Sequence, residues 1–229
     1  MRISLATAIA FGLTATMTVA VAAQDPDEDR KVAGGGITAA GWQGKVDPKA
    51  ASQGRSVADS KFAQEGANLH LAIGPAAVYW NPTHRATGDY TVKATFREAK
   101  VSPEHPHPYG IFIGGDKLGT DQHTLLYCVA YGDGSYLIRG FNGPEVTTLS
   151  KRQPHAAVHK SGPDGSVTQE IAWRVKGGTA ECVINGTSVS SFSRTQLTSD
   201  AKLPSTDGVV GLRVSHNLDV VVSGFAVSK

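Results

Sequence analysis

Cysteine and methionine are scarce, two of each in 229 residues. Cys128 and Cys182 both fall on apolar strand phases (Leu126, Cys128, Ala130 and Ala180, Cys182, Ile184), where a reactive thiolate is disfavoured. A nucleophilic cysteine is therefore not expected. Few methionines beside 26 glycines suit strands and turns rather than packed helices. Charge of one sign is also lacking: 22 basic against 20 acidic residues leave a net +2. So balanced a chain carries no electrostatic footprint for nucleic acid or an acidic membrane. No repeat of fixed period occurs, which argues against a propeller or solenoid. No Gly-x-Ser-x-Gly elbow and no glycine-rich phosphate loop ahead of a helix is found.

The N-terminus has the pattern of an export signal. Arg2 gives a short positive region, Ile3 to Ala20 is uncharged and apolar or small, and small residues lead up to Ala22 and Ala23. Cleavage at about residue 23 is expected, with an exported protein, periplasmic or secreted, and no membrane span after processing. Residues 24–36 (QDPDEDRKVAGGG) have nothing to bury and predict a flexible acidic and glycine-rich leader. Asp25, Asp27 and Asp29 imitate the start of an EF-hand loop, but Arg30 and Gly36 stand where that loop needs Gly and Glu.

Residues 37–229 read as a single all-β domain. Leu69, Leu71 and Ile73 recur at every second position, and Tyr90, Val92, Ala94 and Phe96 alternate with polar residues, the two-residue period of a half-buried strand. Gly132-Asp-Gly134 and Asn185-Gly186 are hairpin turns between apolar runs. Lys151 to Gly165 is weakly organised, with one helical turn at Ala156 to Lys160. Val210, Leu212 and Val214, then Leu218, Val220 and Val222, form a strand, a tight connection at His216-Asn217 and a second strand. About a dozen short strands and no long helix predict a two-sheet antiparallel β-sandwich of jelly-roll type. For Cys128 and Cys182 two readings stay open, buried small hydrophobes or a cross-core disulfide.

Gly208-Val-Val-Gly-Leu-Arg-Val-Ser-His-Asn-Leu-Asp-Val220, preceded by Val183-Ile-Asn-Gly186, resembles the closing strands of concanavalin A-like lectin/glucanase sandwiches. Gly88-Asp-Tyr-Thr-Val-Lys-Ala-Thr-Phe96, Tyr109-Gly-Ile-Phe-Ile-Gly-Gly115 and Asp133-Gly-Ser-Tyr-Leu-Ile-Arg139 fit the same plan. Within that superfamily the chain is most similar to exported bacterial proteins of unassigned function, distantly similar to the 3-keto-disaccharide hydrolase family. The resemblance covers Trp42 to Val227 and implies the fold far more than the chemistry. Retaining glucanases of the superfamily carry Glu-x-Asp-x-x-Glu on one strand. Residues 37–229 have no such run, since Glu98, Glu170 and Glu181 are solitary.

The expected function is an exported, non-catalytic carbohydrate-binding sandwich whose partner is a carbohydrate or cell-envelope glycan. The alternatives are a sugar-active enzyme of the 3-keto-glycoside hydrolase or lyase type and an envelope protein-interaction module. A sugar site pairs aromatic platforms with a few polar groups. Tyr127 and Tyr131 lie opposite the Cys128 phase of their strand, and Arg139 is on the paired strand. Arg213 and His216 lie on the non-core side or turn of the C-terminal unit, and Trp80 precedes Asn81-Pro82. His105, His107 and Tyr109 belong to a proline-stiffened loop and the strand it enters. No cofactor is expected. A structural calcium would have to draw on the loop aspartates Asp116 and Asp121, whose competing role is turn formation.

Overall fold

The computed structural model describes residues 28–229. The signal segment and residues 24–27 lie outside the described residues. Fifteen strands follow in order: β1 (Gly36–Ile37), β2 (Gln43–Val46), β3 (Lys61–Glu65), β4 (Asn68–Ala72), β5 (Ala77–Ala86), β6 (Tyr90–Glu98), β7 (Tyr109–Asp116), β8 (Thr124–Ala130), β9 (Ser135–Asn142), β10 (Glu145–Pro154), β11 (Val167–Lys176), β12 (Thr179–Ile184), β13 (Thr187–Ser193), β14 (Gly208–Val214) and β15 (Asp219–Ser228). Two short helices, α1 (Pro48–Ser52) and α2 (Arg194–Ser199), sit between strands. The strands form an eight-stranded sheet, β1-β3-β4-β15-β6-β11-β12-β13, and a seven-stranded sheet, β10-β9-β8-β7-β14-β5-β2. Neighbours pair antiparallel except β1 with β3. The two-sheet antiparallel sandwich expected from the sequence is the observed fold.

The core lies between the sheets. From one side it receives Val92, Ala94 and Phe96 of β6 and Ile171, Trp173 and Val175 of β11. From the other it receives Ile111 and Ile113 of β7, Leu126 and Cys128 of β8, and Val210, Leu212 and Val214 of β14. Two links cross it. The Trp173 indole donates to the Ile111 carbonyl at 3.1 Å, and Cys128 of β8 is disulfide-bonded to Cys182 of β12 with Cα atoms 6.2 Å apart.

The C-terminal unit is not a hairpin. β14 lies inside the seven-stranded sheet and β15 inside the eight-stranded one, so residues 215–218 turn a corner between layers. β14 sends Val210, Leu212 and Val214 inward and β15 sends Val220 and Val222, and two such faces bury each other best from opposite sheets. The corner is tied to each layer. Ser215 N–H donates to the Pro108 carbonyl at 2.9 Å and Asn217 N–H to the Gly74 carbonyl at 2.9 Å, while Asn217 takes a left-handed φ of 55°.

Three further expectations change. Residues 28–36 do not form a flexible leader. Arg30 Nε donates to the Ile73 carbonyl at 2.8 Å, its guanidinium also reaches the Leu218 carbonyl, and its N–H meets Asn217 Oδ1 at 2.9 Å. Backbone polar groups hold this segment, and hydrophobic patterning does not report them. Lys151–Pro154 continues β10, because an edge strand needs hydrogen bonds on one side only and tolerates an exposed polar face. Residues 156–160 form a turn rather than a helical one, and Lys160 bridges to Asp133.

Candidate functional site on the outer face of the seven-stranded sheet

The two sheets differ on their outer faces. In the eight-stranded sheet β6 alternates buried with exposed or half-buried residues. In the seven-stranded sheet β8 and β14 are buried at every position. A second apolar cluster explains this: Val78, Trp80, Phe112, Leu125, Tyr127, Val129, Leu137, Phe141 and Val209 sit on the outer phase, joined by Tyr131 and by Leu118 from the loop after β7. That loop folds over one end of the face, where His123 packs 5.3 Å from Phe141 and Lys45 binds Asp121 at 2.8 Å. Gly211 permits the close packing, since a Cβ there would meet the Tyr79 carbonyl at 2.3 Å and the Phe112 ring at 2.7 Å.

The other end of the face opens into a cavity of about 470 Å³. Its floor is Tyr127, Val129 and Tyr131 with Leu137 and Arg139 of β9 and Arg213 of β14. Register sets the spacing, placing Tyr127 opposite Arg139 on one side and Phe112 on the other, and Arg213 opposite Gly110. The Pro103–Pro108 loop between β6 and β7 forms one wall, Asp133 and Arg152 contribute a second, and Ser215 and His216 come from the corner.

Arg213 is the fixed charge of the floor. Its guanidinium grips Asp47 with two nitrogens, one of them 2.6 Å from Oδ2, and lies 5.3 Å from the Tyr127 ring centre. Burial opposes the charge, but the Asp47 carboxylate outweighs it and keeps the guanidinium firmly protonated. Arg152 binds Asp133 at 2.6 Å and stands 3.9 Å over the Tyr131 ring. For Asp133 burial disfavours ionisation, yet hydrogen bonds from Ser135 and Arg152 together hold the carboxyl below the usual carboxylate range. Arg139 donates through Nε to Thr148 Oγ1 at 3.0 Å and has no carboxylate partner among the described residues. At the rim the His107 and His216 rings meet edge-on at 4.1 Å, and His216 Nδ1 lies 3.1 Å from Asp29.

Seven of the residues singled out from sequence line this one cavity: His105, His107, Tyr127, Tyr131, Arg139, Arg213 and His216. Two do not. Tyr109 shares the inward phase of Ile111 and Ile113 and stacks on Phe96 at 5.3 Å inside the sandwich. Trp80 is on the correct face but is sealed into the apolar cluster away from the cavity. Asp116 is exposed and Asp121 is engaged by Lys45. No group of three or more His, Cys, Asp or Glu is assembled as metal ligands among the described residues. The aromatic platforms are also less free than expected, since guanidinium groups rest against both tyrosines.

Sequence reasoning passed over Asp47, Asp133 and Arg152 as members of this site. Asp47 lies 166 residues from its partner, which no local pattern reveals. The face itself has a signature in the unbroken apolar and aromatic run Leu125–Tyr131, which is what a strand buried on both sides requires.

No protein-family model matches the chain, and no curated protein matches it. Solved structures do. The carbohydrate-binding module CBM66 from Bacillus subtilis superposes with a TM-score of 0.57 at 9% identity, covering 84% of this chain and 98% of that one. A Bacillus subtilis protein of unknown function with a galectin-like fold superposes with a TM-score of 0.51 at 14% identity, over 81% and 88% of the two chains. At such identity the likeness speaks for architecture alone, and the chain shares the two-sheet β-sandwich fold of these structures.

Proposed function

We propose that the protein binds a carbohydrate in the cavity on the outer face of the seven-stranded sheet, without turning it over. The observation that carries this reading is the convergence of Tyr127, Tyr131, Arg139, Arg213 and two loop histidines on one cavity of about 470 Å³. A volume of that order suits one or two sugar rings, and rigid strands hold most of the hydrogen-bonding groups. The fold is shared with a carbohydrate-binding module. The non-catalytic part is supported by the carboxylates at hand: Asp133 is held ionised against its burial by Ser135 and Arg152 and is a poor proton donor, and Glu104 stands exposed on the rim. Export to the periplasm or outside the cell, with a cell-envelope glycan as partner, rests on the N-terminal signal pattern. No helix among the described residues is long and apolar enough to cross a membrane.

A glycan array holding neutral and acidic sugars tests the proposal. The mature protein is expected to bind at least one class, and Tyr131→Ala and His107→Ala to weaken that binding about tenfold, roughly 1.4 kcal/mol, while remaining folded. Binding to no glycan, or binding untouched by both variants, would sink it.

A further inference from the structure

The cavity's charges are unequally satisfied, and that inequality identifies a class of sugar. Arg213 is neutralised by Asp47 in a two-nitrogen pair, and Arg152 is neutralised by Asp133. Arg139 lines the same cavity, and its one side-chain hydrogen-bond partner among the described residues is a threonine hydroxyl. Register fixes its place, with Tyr127 opposite on β8 and Thr148 opposite on β10. Glu104 is the cavity's remaining carboxylate. It lies in the exposed rim loop and forms no ion pair among the described residues.

A neutral pyranose would need an open aromatic face for its apolar side. Here the Tyr131 ring is nine-tenths buried beneath the Arg152 guanidinium, so the surface offered at that point is the polar Arg152–Asp133 pair rather than an open ring. A planar guanidinium with free Nη groups is matched by a carboxylate, which can accept two parallel hydrogen bonds from it. We infer that the cavity selects acidic sugars of the uronate class, with the sugar carboxylate on Arg139 and the ring hydroxyls on the neighbouring polar groups. This rests on the sugar-binding reading and narrows it.

Titration calorimetry of the mature protein at low salt tests the inference with three probes: tetragalacturonate, its methyl ester and sodium acetate. The acid form is expected to bind at least tenfold more tightly than the ester, with acetate a poor competitor. Arg139→Gln should weaken the acid form tenfold or more and the ester less than twofold. Arg139→Lys, which keeps charge but not the planar fork, should recover only part of the loss. Matched thermal unfolding curves verify that both variants are folded. Equal binding of acid and ester, or an equal loss of both in Arg139→Gln, would overturn the uronate assignment and leave the sugar site standing. Competition by acetate as effective as the oligomer would show a generic anion pocket and overturn it too. Binding of neither oligomer, together with a blank array, would remove both readings.

Discussion

Glu98 is a carboxyl buried at the end of an inward-facing row. It ends β6 on the inward phase that carries Phe96, is 3% exposed, and its Oε2 has no hydrogen-bond partner. Burial, with help from Asp219, pushes its carboxyl up to about 8 from an ordinary 4.5. Across that window the folded state holds a proton that the unfolded state has released, so stability falls as the pH rises through it. His70 adds to the trend. The Asp219 hydrogen bond outweighs desolvation and, with Glu65, raises its pKa, so its stabilisation is complete below the unfolded value of 6.5 and is lost above it. His84 and His123 are shifted down, mainly by burial, and act in the opposite sense only at lower pH. Urea unfolding should therefore show stability dropping between pH 6.5 and 8.5, by ~2 kcal/mol from Glu98 alone. Glu98→Gln should flatten most of that slope and raise the melting temperature at pH 8.5. A slope unchanged in the variant would mean that Glu98 is solvated in the native state.

At the scale of elements, the strands themselves were legible and their wiring was less so. The two-residue alternation of β6 and β11 can be read directly, as can the glycine turns at 132–134 and 185–186, because each depends on neighbours in the chain. Tyr127 and Arg139 could be placed together for the same reason, since a short hairpin fixes their register. What escaped was non-local. His216-Asn217 has the chemistry of a hairpin turn, and nothing local to it states that its two flanking strands enter different sheets. Asp47 is invisible as the partner of Arg213 until the fold brings β14 beside β5 and β2. Tyr109 was misplaced because a tyrosine next to a histidine-rich loop fits a site and a core equally well. The disulfide is the element-scale feature whose consequence is most directly measurable. It spans 54 residues and joins β8 of one sheet to β12 of the other. Closing a loop of that size removes unfolded-state entropy worth about 4 kcal/mol. The Cys128→Ala, Cys182→Ala double variant should lose about that much in urea titrations, and adding reductant should leave the variant's own curve unchanged.

Seen whole, the molecule is a sandwich with two unequal outer surfaces. One sheet turns an alternating polar face to water. The other buries a second apolar layer and opens only where arginines and histidines take over from it. The order of the strands matters as much as their faces. β14 sits between β7 and β5, and β15 sits between β4 and β6. Residues 208–228 thus supply an interior strand to each sheet, and Arg30 ties its own segment to the corner joining them. A chain stopped at Asp207 should accordingly show no cooperative melting by circular dichroism, although it contains thirteen of the fifteen strands. Retention of a sharp transition would show that one sheet can close without its interior C-terminal strand. The corner at 215–218 therefore acts on time as well as on shape. During synthesis neither sheet can be completed until residues 208–228 have been made, and the long-range pairings then form late and slowly.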